Sequence, residues 1–324
     1  MKKTRKRVLV MLSVLILALV VMIGGLRILE STVLLPRQEE QPVVSKTITQ
    51  NGVDYFPRQD ITTLLVMGID ENGPVKDSGS YRNTGESDVV MLMIFDEKNE
   101  SYSILTLNRD TMLKMPVLGL GGKQAGTFYG QLALSHTYGS GLADSCENTR
   151  NTVSDFLSGI EIDYYVAMNM DAIGILNDAV GGVTVTVVDD FSDVDPSIKM
   201  GQFTLLGDQA IHYVRTRKDV SDQKNVTRMQ RQKEYVESFL EAFRECAQAD
   251  SNFLLSVFEE VSPYIVTDCS ANTLSGIMSR YSGYALGDVH VPEGNNIIGE
   301  QFYEFYVDET ALDEMILDLC YREK

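Results

Sequence analysis

The sequence predicts an α/β fold, a mixed central sheet sandwiched between helices (αβα), preceded by one N-terminal transmembrane helix. Three observations carry that prediction. Residues 62–68 (TTLLVMG), 88–96 (DVVMLMIFD) and 101–107 are apolar runs of strand length closed by turn residues, as in strands buried on both faces. Helical and strand patterns then alternate along the chain. Ahead of both, five basic residues in positions 1–7 precede an uncharged run from Val8 to Leu26, which ends at Arg27.

Taken in order, residues 1–7 read as a cytoplasmic basic tail and 8–27 as the anchor. The run from Val8 to Leu26 covers about 28 Å as a helix, close to a hydrocarbon core of about 30 Å. The positive charge before it leaves the N-terminus in the cytoplasm and the remainder extracellular, in a single-pass protein of the cell membrane. A cleaved signal peptide is the competing reading. The run is longer than a usual signal-peptide core and no A-x-A site follows, which favours the anchor. Residues 28–59 form a juxtamembrane linker with Pro36, Glu39, Glu40 and Pro42, and its reach is short. Within it, Lys46 to Pro57 alternates around Asn51-Gly52, a pair suited to a type I′ hairpin.

Residues 60–324 are the outer domain. After the three strands, Ala125–Tyr138 and Asn148–Leu157 read as helices, Ile162–Met168 as a strand, Asp171–Val180 as a helix and Val183–Val188 as a strand. Gln209–Arg215, Val226–Cys246, Phe253–Val266 and Leu312–Tyr321 supply further helices, with a strand near Tyr303–Val307.

Charge excludes one class of partner. Six of the 28 Lys and Arg residues lie in the first 27 positions, which leaves 22 against 46 acidic residues, a net of −24 outside. Such a surface repels nucleic acid, so none is expected as a partner. Cys146, Cys246, Cys269 and Cys320 lie where disulfides persist, with three possible pairings and no CxxC. His136, His212 and His290 lack metal-ligand spacing, and Gly139-Ser140-Gly141 lacks the GxSxG frame. Neither GxxxxGK[ST] nor GxGxxG occurs.

Against this acidic background, Arg215, Arg217, Lys218, Lys224, Arg228, Arg231 and Lys233 form a positive island. At 100° per residue, Arg228 and Gln232 share a helix side with Val236, Phe239 and Phe243, and Arg231 sits at its border. A partly buried guanidinium needs an anion, either a domain carboxylate or a ligand. Arg215 and Arg217 suit a diphosphate, because guanidinium forks bind phosphate oxygens in pairs. A second set lies at strand ends: Asp70 after LLVMGI, Asp88 opening the next strand, and Arg109-Asp110 after LTL. Ligands of open α/β sheets collect beyond the carboxyl ends of strands, and carboxylates beside arginines suit Mg²⁺ on phosphate oxygens. Any one of these aspartates taken alone is better read as capping a turn.

Together these residues resemble the LytR-CpsA-Psr (LCP) family of bacterial cell-wall glycopolymer ligases. The resemblance rests on LLVMGID, SDVVMLMIFD, LTLNRDTMLKMP, IDYYVAMNMDAIGILNDAVGGVTV, HYVRTRKD and NVTRMQRQKEY, in that order, over most of residues 60–245. Residues 246–324 read as a C-terminal extension. The resemblance implies transfer of a glycopolymer, such as a teichoic acid or capsular polysaccharide, from a membrane-bound polyprenyl-pyrophosphate carrier to peptidoglycan. In that reading Asp70 and Asp88 hold Mg²⁺, and Arg109, Arg215, Arg217, Arg228, Arg231 and Gln232 clamp the pyrophosphate. Asp110 orients Arg109 or the metal. Val90 and Leu92 are candidates to line a lipid groove, although core packing is the favoured role for such residues. The chain departs from the family in Asn108, where Pro is frequent, and in Asn225, where an acid is frequent; the amide of Asn225 can contact substrate but cannot take a proton. Hydrolysis of the pyrophosphate, and non-catalytic binding or sensing of it, are the rival activities.

Overall fold

In the computed structural model the described residues are 47–216 except 51 and, with short gaps, 231–323. The expected tail, anchor and most of the linker lie outside them. Among the described residues, no helix is long and apolar enough to cross a membrane.

Strands β1 (Ile48–Gln50) and β2 (Val53–Pro57) form the hairpin, with Gly52 at φ 79°. The three apolar runs become β3 (Ile61–Ile69), β4 (Ser87–Asp96) and β5 (Ser101–Leu107), paired antiparallel in that order. A ribbon of β6 (Met112–Leu118) and β7 (Gln124–Gln131) follows, then helix α1 (Ala143–Phe156). Strand β8 (Tyr164–Asn169) returns parallel to β3, and α2 (Ala172–Ala179) leads into the pair β9 (Val183–Val187) and β10 (Gly201–Leu205). The Gly181-Gly182 turn before β9 has φ of 78° and 90°, and a Cβ on Gly182 would lie 2.8 Å from the Leu205 carbonyl oxygen, so only glycine fits there. Helix α3 (Asp208–Arg215) comes next, and the described residues between 231 and 249 are helical. The chain ends with α4 (Phe253–Val261), β11 (Ile265–Thr267), β12 (Ala285–His290), the β13 (Gly294–Ile298) and β14 (Tyr303–Val307) hairpin, α5 (Glu309–Cys320) and β15 (Tyr321–Glu323).

The main sheet runs β11-β8-β3-β4-β5-β12 and mixes parallel and antiparallel pairs. Alternation along its strands feeds two cores. Leu64, Val66, Met91, Met93 and Ile104 face α2, α3, α4 and the buried Phe239 and Phe243, while Leu65, Met67, Val90, Leu92 and Leu105 face α1 and α5. Each such side chain contributes about 1.5–3 kcal/mol by burial, and sheet residues supply a large part of both clusters. The expected αβα sandwich is therefore present.

Three local readings are corrected. Residues 125–138 are not a helix: β7 runs to Gln131, and only Leu132–Ser135 turns helically, as a 3-10 segment. Gly126 and Gly130, with Thr127, Phe128 and Tyr129 between them, favour a strand over a helix. The helix expected over Phe253–Val266 stops at Val261, because Pro263 interrupts it, and β11 begins at Ile265. Strand β12 and the β13–β14 hairpin belong to the C-terminal part, and β11 and β12 supply both edges of the main sheet, so residues beyond 246 complete the sandwich. The four cysteines are free thiols, and burial pushes those of Cys269 and Cys320 up to about 12.

Candidate functional site

Antiparallel pairing puts the end of β3, the start of β4 and the end of β5 at one pole of the sheet. Asp70, Glu86-Ser87-Asp88 and Asn108-Arg109-Asp110 meet there. The amide N–H groups of Asp70 and Asp88 both donate to the Glu86 carbonyl, at 2.9 and 3.1 Å, which closes the loop between β3 and β4. Gly85 is required beside it, since a Cβ would lie 2.8 Å from Ile69 Cγ2. Asn83 steadies the same loop by donating to the carbonyls of His136 and Gly139, at 2.8 and 3.0 Å. Buried His136 donates from Nδ1 to the Gly85 carbonyl at 2.8 Å, and burial lowers its pKa.

Arg109 is presented by an Asx turn. Asn108 Oδ1 accepts the Asp110 N–H at 3.0 Å, and its carbonyl accepts both the N–H and the hydroxyl of Thr111. The amide side chain thus makes the turn that a proline would otherwise impose. The Arg109 guanidinium meets three carboxylates: Nη1 bonds Asp88, Nη2 donates to Glu86 at 2.6 Å, and Nε lies 3.5 Å from Asp110. Asp110 Oδ1 also accepts from Gln131 Nε2 at 2.8 Å. At the C-terminus of α3, Arg215 Nη2 donates to Asp70 Oδ1 at 2.6 Å. Side-chain exposure of 32% for Arg109 and 49% for Arg215 leaves both within reach of a ligand.

Of the sequence-derived candidates, Asp70, Asp88, Arg109, Asp110 and Arg215 therefore come together. Arg217, Asn225, Arg228 and Gln232 lie outside the described residues. Arg231 is corrected from a border position to a buried one. It is 2% exposed, ion-paired with Asp189, and donates to the carbonyls of Tyr213 at 3.0 Å and Thr216 at 2.6 Å. Val90 and Leu92 take the favoured of their two expected roles: both are 0% exposed in the core under α1 and α5, which corrects their place among the substrate-binding candidates, since they pack rather than line an open groove. Sequence reasoning missed Glu86 and Asp189. Glu86 stands two residues before Asp88, hence on the same side of an extended strand, and Asp189 follows β9 much as Asp70 follows β3.

The metal expectation fits the donor chemistry. Glu86, Asp88, Asp110 and Asp70 are four hard oxygen donors facing two arginines, a negative balance among the described residues that a divalent cation would offset. Among the described residues, no group of three or more His, Cys, Asp or Glu side chains is arranged to hold a metal ion. Mg²⁺ on phosphates needs only one or two protein carboxylates, so that finding leaves the fit intact.

The chain is similar to several known proteins. Teichoic acid transferase TagU of Bacillus subtilis is 25% identical over 268 residues, covering 81% of this chain and 78% of the relative. TagU of Halalkalibacterium halodurans is 30% identical over 229 residues, covering 70% and 67%. Both carry the description polyisoprenyl-teichoic acid–peptidoglycan teichoic acid transferase. Among solved structures, B. subtilis TagV is 25% identical with a TM-score of 0.55, covering 81% of this chain and 96% of that one. TagT bound to LI-WTA is 23% identical with a TM-score of 0.55, covering 89% and 98%, and shares the fold. The LytR_cpsA_psr family model matches residues 33–319, and the chain belongs to that family.

Proposed function

We propose that this protein is a phosphotransferase that moves a glycopolymer from a polyprenyl-pyrophosphate carrier to peptidoglycan, leaving a phosphodiester link. The observation that carries this reading is the convergence of Arg109 and Arg215 with four carboxylates at one sheet pole, in a chain of this family. The names of the TagU relatives supply the class of donor and acceptor.

In the proposed reaction an acceptor hydroxyl attacks the phosphorus that bears the sugar. The bond from that phosphorus to the lipid phosphate breaks, polyprenyl phosphate departs, and the hydroxyl proton passes to a carboxylate of the half-exposed cluster. Arg109 and Arg215 would neutralise charge on the phosphate oxygens, with Arg217, Arg228 and Gln232 as further donors. Asp110 and the Asn108 turn keep Arg109 aimed, so most of the catalysis comes from positioning and charge. Mg²⁺ held by Asp70 and Asp88 would add electrostatic stabilisation of the phosphate oxygens. The anchor at residues 8–27 would keep the extracellular domain beside the carrier lipid.

The test uses the full-length protein with a synthetic glycosyl polyprenyl pyrophosphate, with and without peptidoglycan fragments, in Mg²⁺ or in chelator. Acceptor-dependent release of polyprenyl phosphate, lost in chelator and in Arg109→Ala, is expected. Equal rates with and without acceptor would replace transfer by hydrolysis, and binding without release would leave a binding protein.

A further inference from the structure

Arg231 is buried, and its bonds end on the segment that carries Arg215. The last turn of a helix cannot satisfy all of its own carbonyls, and at the end of α3 the Thr216 N–H closes only on His212. Arg231 Nε donates to the Tyr213 carbonyl at 3.0 Å and Nη2 to the Thr216 carbonyl at 2.6 Å, so one guanidinium grips the backbone on both sides of Arg215. Its Nη1 is held by Asp189, 7% exposed, which follows β9. The group also lies 5.2 Å and 5.8 Å from the ring centres of Phe191 and Tyr213, which stack on each other at 5.6 Å.

Arg215 itself is half exposed and reaches across to Asp70. A long, exposed side chain keeps much of its rotamer freedom, so its aim depends on how firmly its backbone is held. We infer that the Asp189–Arg231 pair is a positioning device that locks the C-terminal turn of α3 and thereby presents Arg215 to the pyrophosphate; this rests on the proposed function. The fork is essential to the device. Lysine at 231 would keep the charge beside Asp189 but could not bond both carbonyls and the carboxylate in one plane.

The test is a double-mutant cycle on geranyl pyrophosphate affinity, using full-length protein, with thermal melting in parallel. Arg231→Lys should bind about tenfold more weakly while remaining folded, and Arg215→Ala should lose at least as much. The double variant should be no weaker than Arg215→Ala alone, because Arg231 acts through Arg215. Asp189→Asn, which keeps an acceptor but removes the charge, should behave in the same non-additive way and serves if Arg231→Lys does not fold. Full additivity, or melting changes with unaltered affinity, would overturn the positioning role alone. Unaltered affinity in Arg215→Ala would overturn the phosphate clamp and the positioning role together.

Discussion

Replacing Arg109 by lysine separates its role in binding from its role in the fold. In the free protein its three carboxylate contacts are about a third exposed, and pairs of that kind contribute about 0–1 kcal/mol each. Even Arg109→Ala should therefore cost only about 1–2 kcal/mol, a melting shift of several degrees at most for a domain of this size. On a pyrophosphate the guanidinium offers two parallel charge-assisted bonds, each about 1.5–3 kcal/mol. Lysine keeps the charge and one such bond, so affinity for geranyl pyrophosphate should fall by about 10- to 150-fold. Alanine loses both and leaves Glu86, Asp88 and Asp110 facing the phosphates, for a loss well above about 100-fold. Calorimetric titration of the variants, with circular dichroism melting alongside, reads both quantities. Binding by Arg109→Lys within twofold of the unmodified protein, with the fold intact, would refute the forked-phosphate reasoning.

Asn108→Ala removes the acceptor that closes the Arg109 turn and should weaken ligand binding by about 0.5–1.5 kcal/mol, whereas Asn108→Pro should retain it; titration of both variants checks this. Leu92→Ala should cost about 2–5 kcal/mol in urea unfolding with no dependence of ligand affinity on prenyl chain length, since the side chain is fully buried in the core. Burial lowers the pKa of His136, so between its ordinary value near 6.5 and its folded value the unfolded chain binds the extra proton. Stability from this group is fully present above about 6.5 and falls as pH drops, with a slope up to about 1.4 kcal/mol per pH unit. Urea melts at pH 7.5, 6.5 and 5.5 should show the slope in the unmodified protein and a flatter profile in His136→Gln.

The strand-end half of the site was legible because it depends on one-dimensional signals. Apolar runs buried on both faces locate β3, β4 and β5, and antiparallel pairing then forces Asp70, Asp88 and Arg109 to one pole. Glu86 escaped because an acid just before a strand looks like any loop residue until the strand's start is known. The status of Arg231 was not legible for a different reason. Helical periodicity ranks it at a border, but its burial is decided by Asp189 and the α3 carbonyls, partners from distant parts of the chain. Strand β7 reads as a helix in the sequence since short apolar segments with aromatic residues satisfy helix and strand patterns alike, and Gly126 and Gly130 are the available discriminator.

The position of the site also changes what the expected tether must do. Strand β1 starts beside the end of β2, and Arg58 and Asp60 lead directly into β3, so the chain enters the sheet at the pole where β3 begins. Asp70 lies just past the other end, about 30 Å away along the nine residues of β3. A tether that merely fastened the entry pole to the membrane would hold the phosphate site that far from the lipid headgroups. The linker is short as such segments go, yet residues 28–46 would reach up to about 65 Å when fully extended, more than the length of β3, so from the expected anchor the far pole could still face the bilayer. Under the proposed function, in which the pyrophosphate of the carrier stays at the membrane surface, the linker would be a working length rather than a spacer: it would have to exceed the span of β3 before Arg109 and Arg215 could reach the headgroup from an anchored domain.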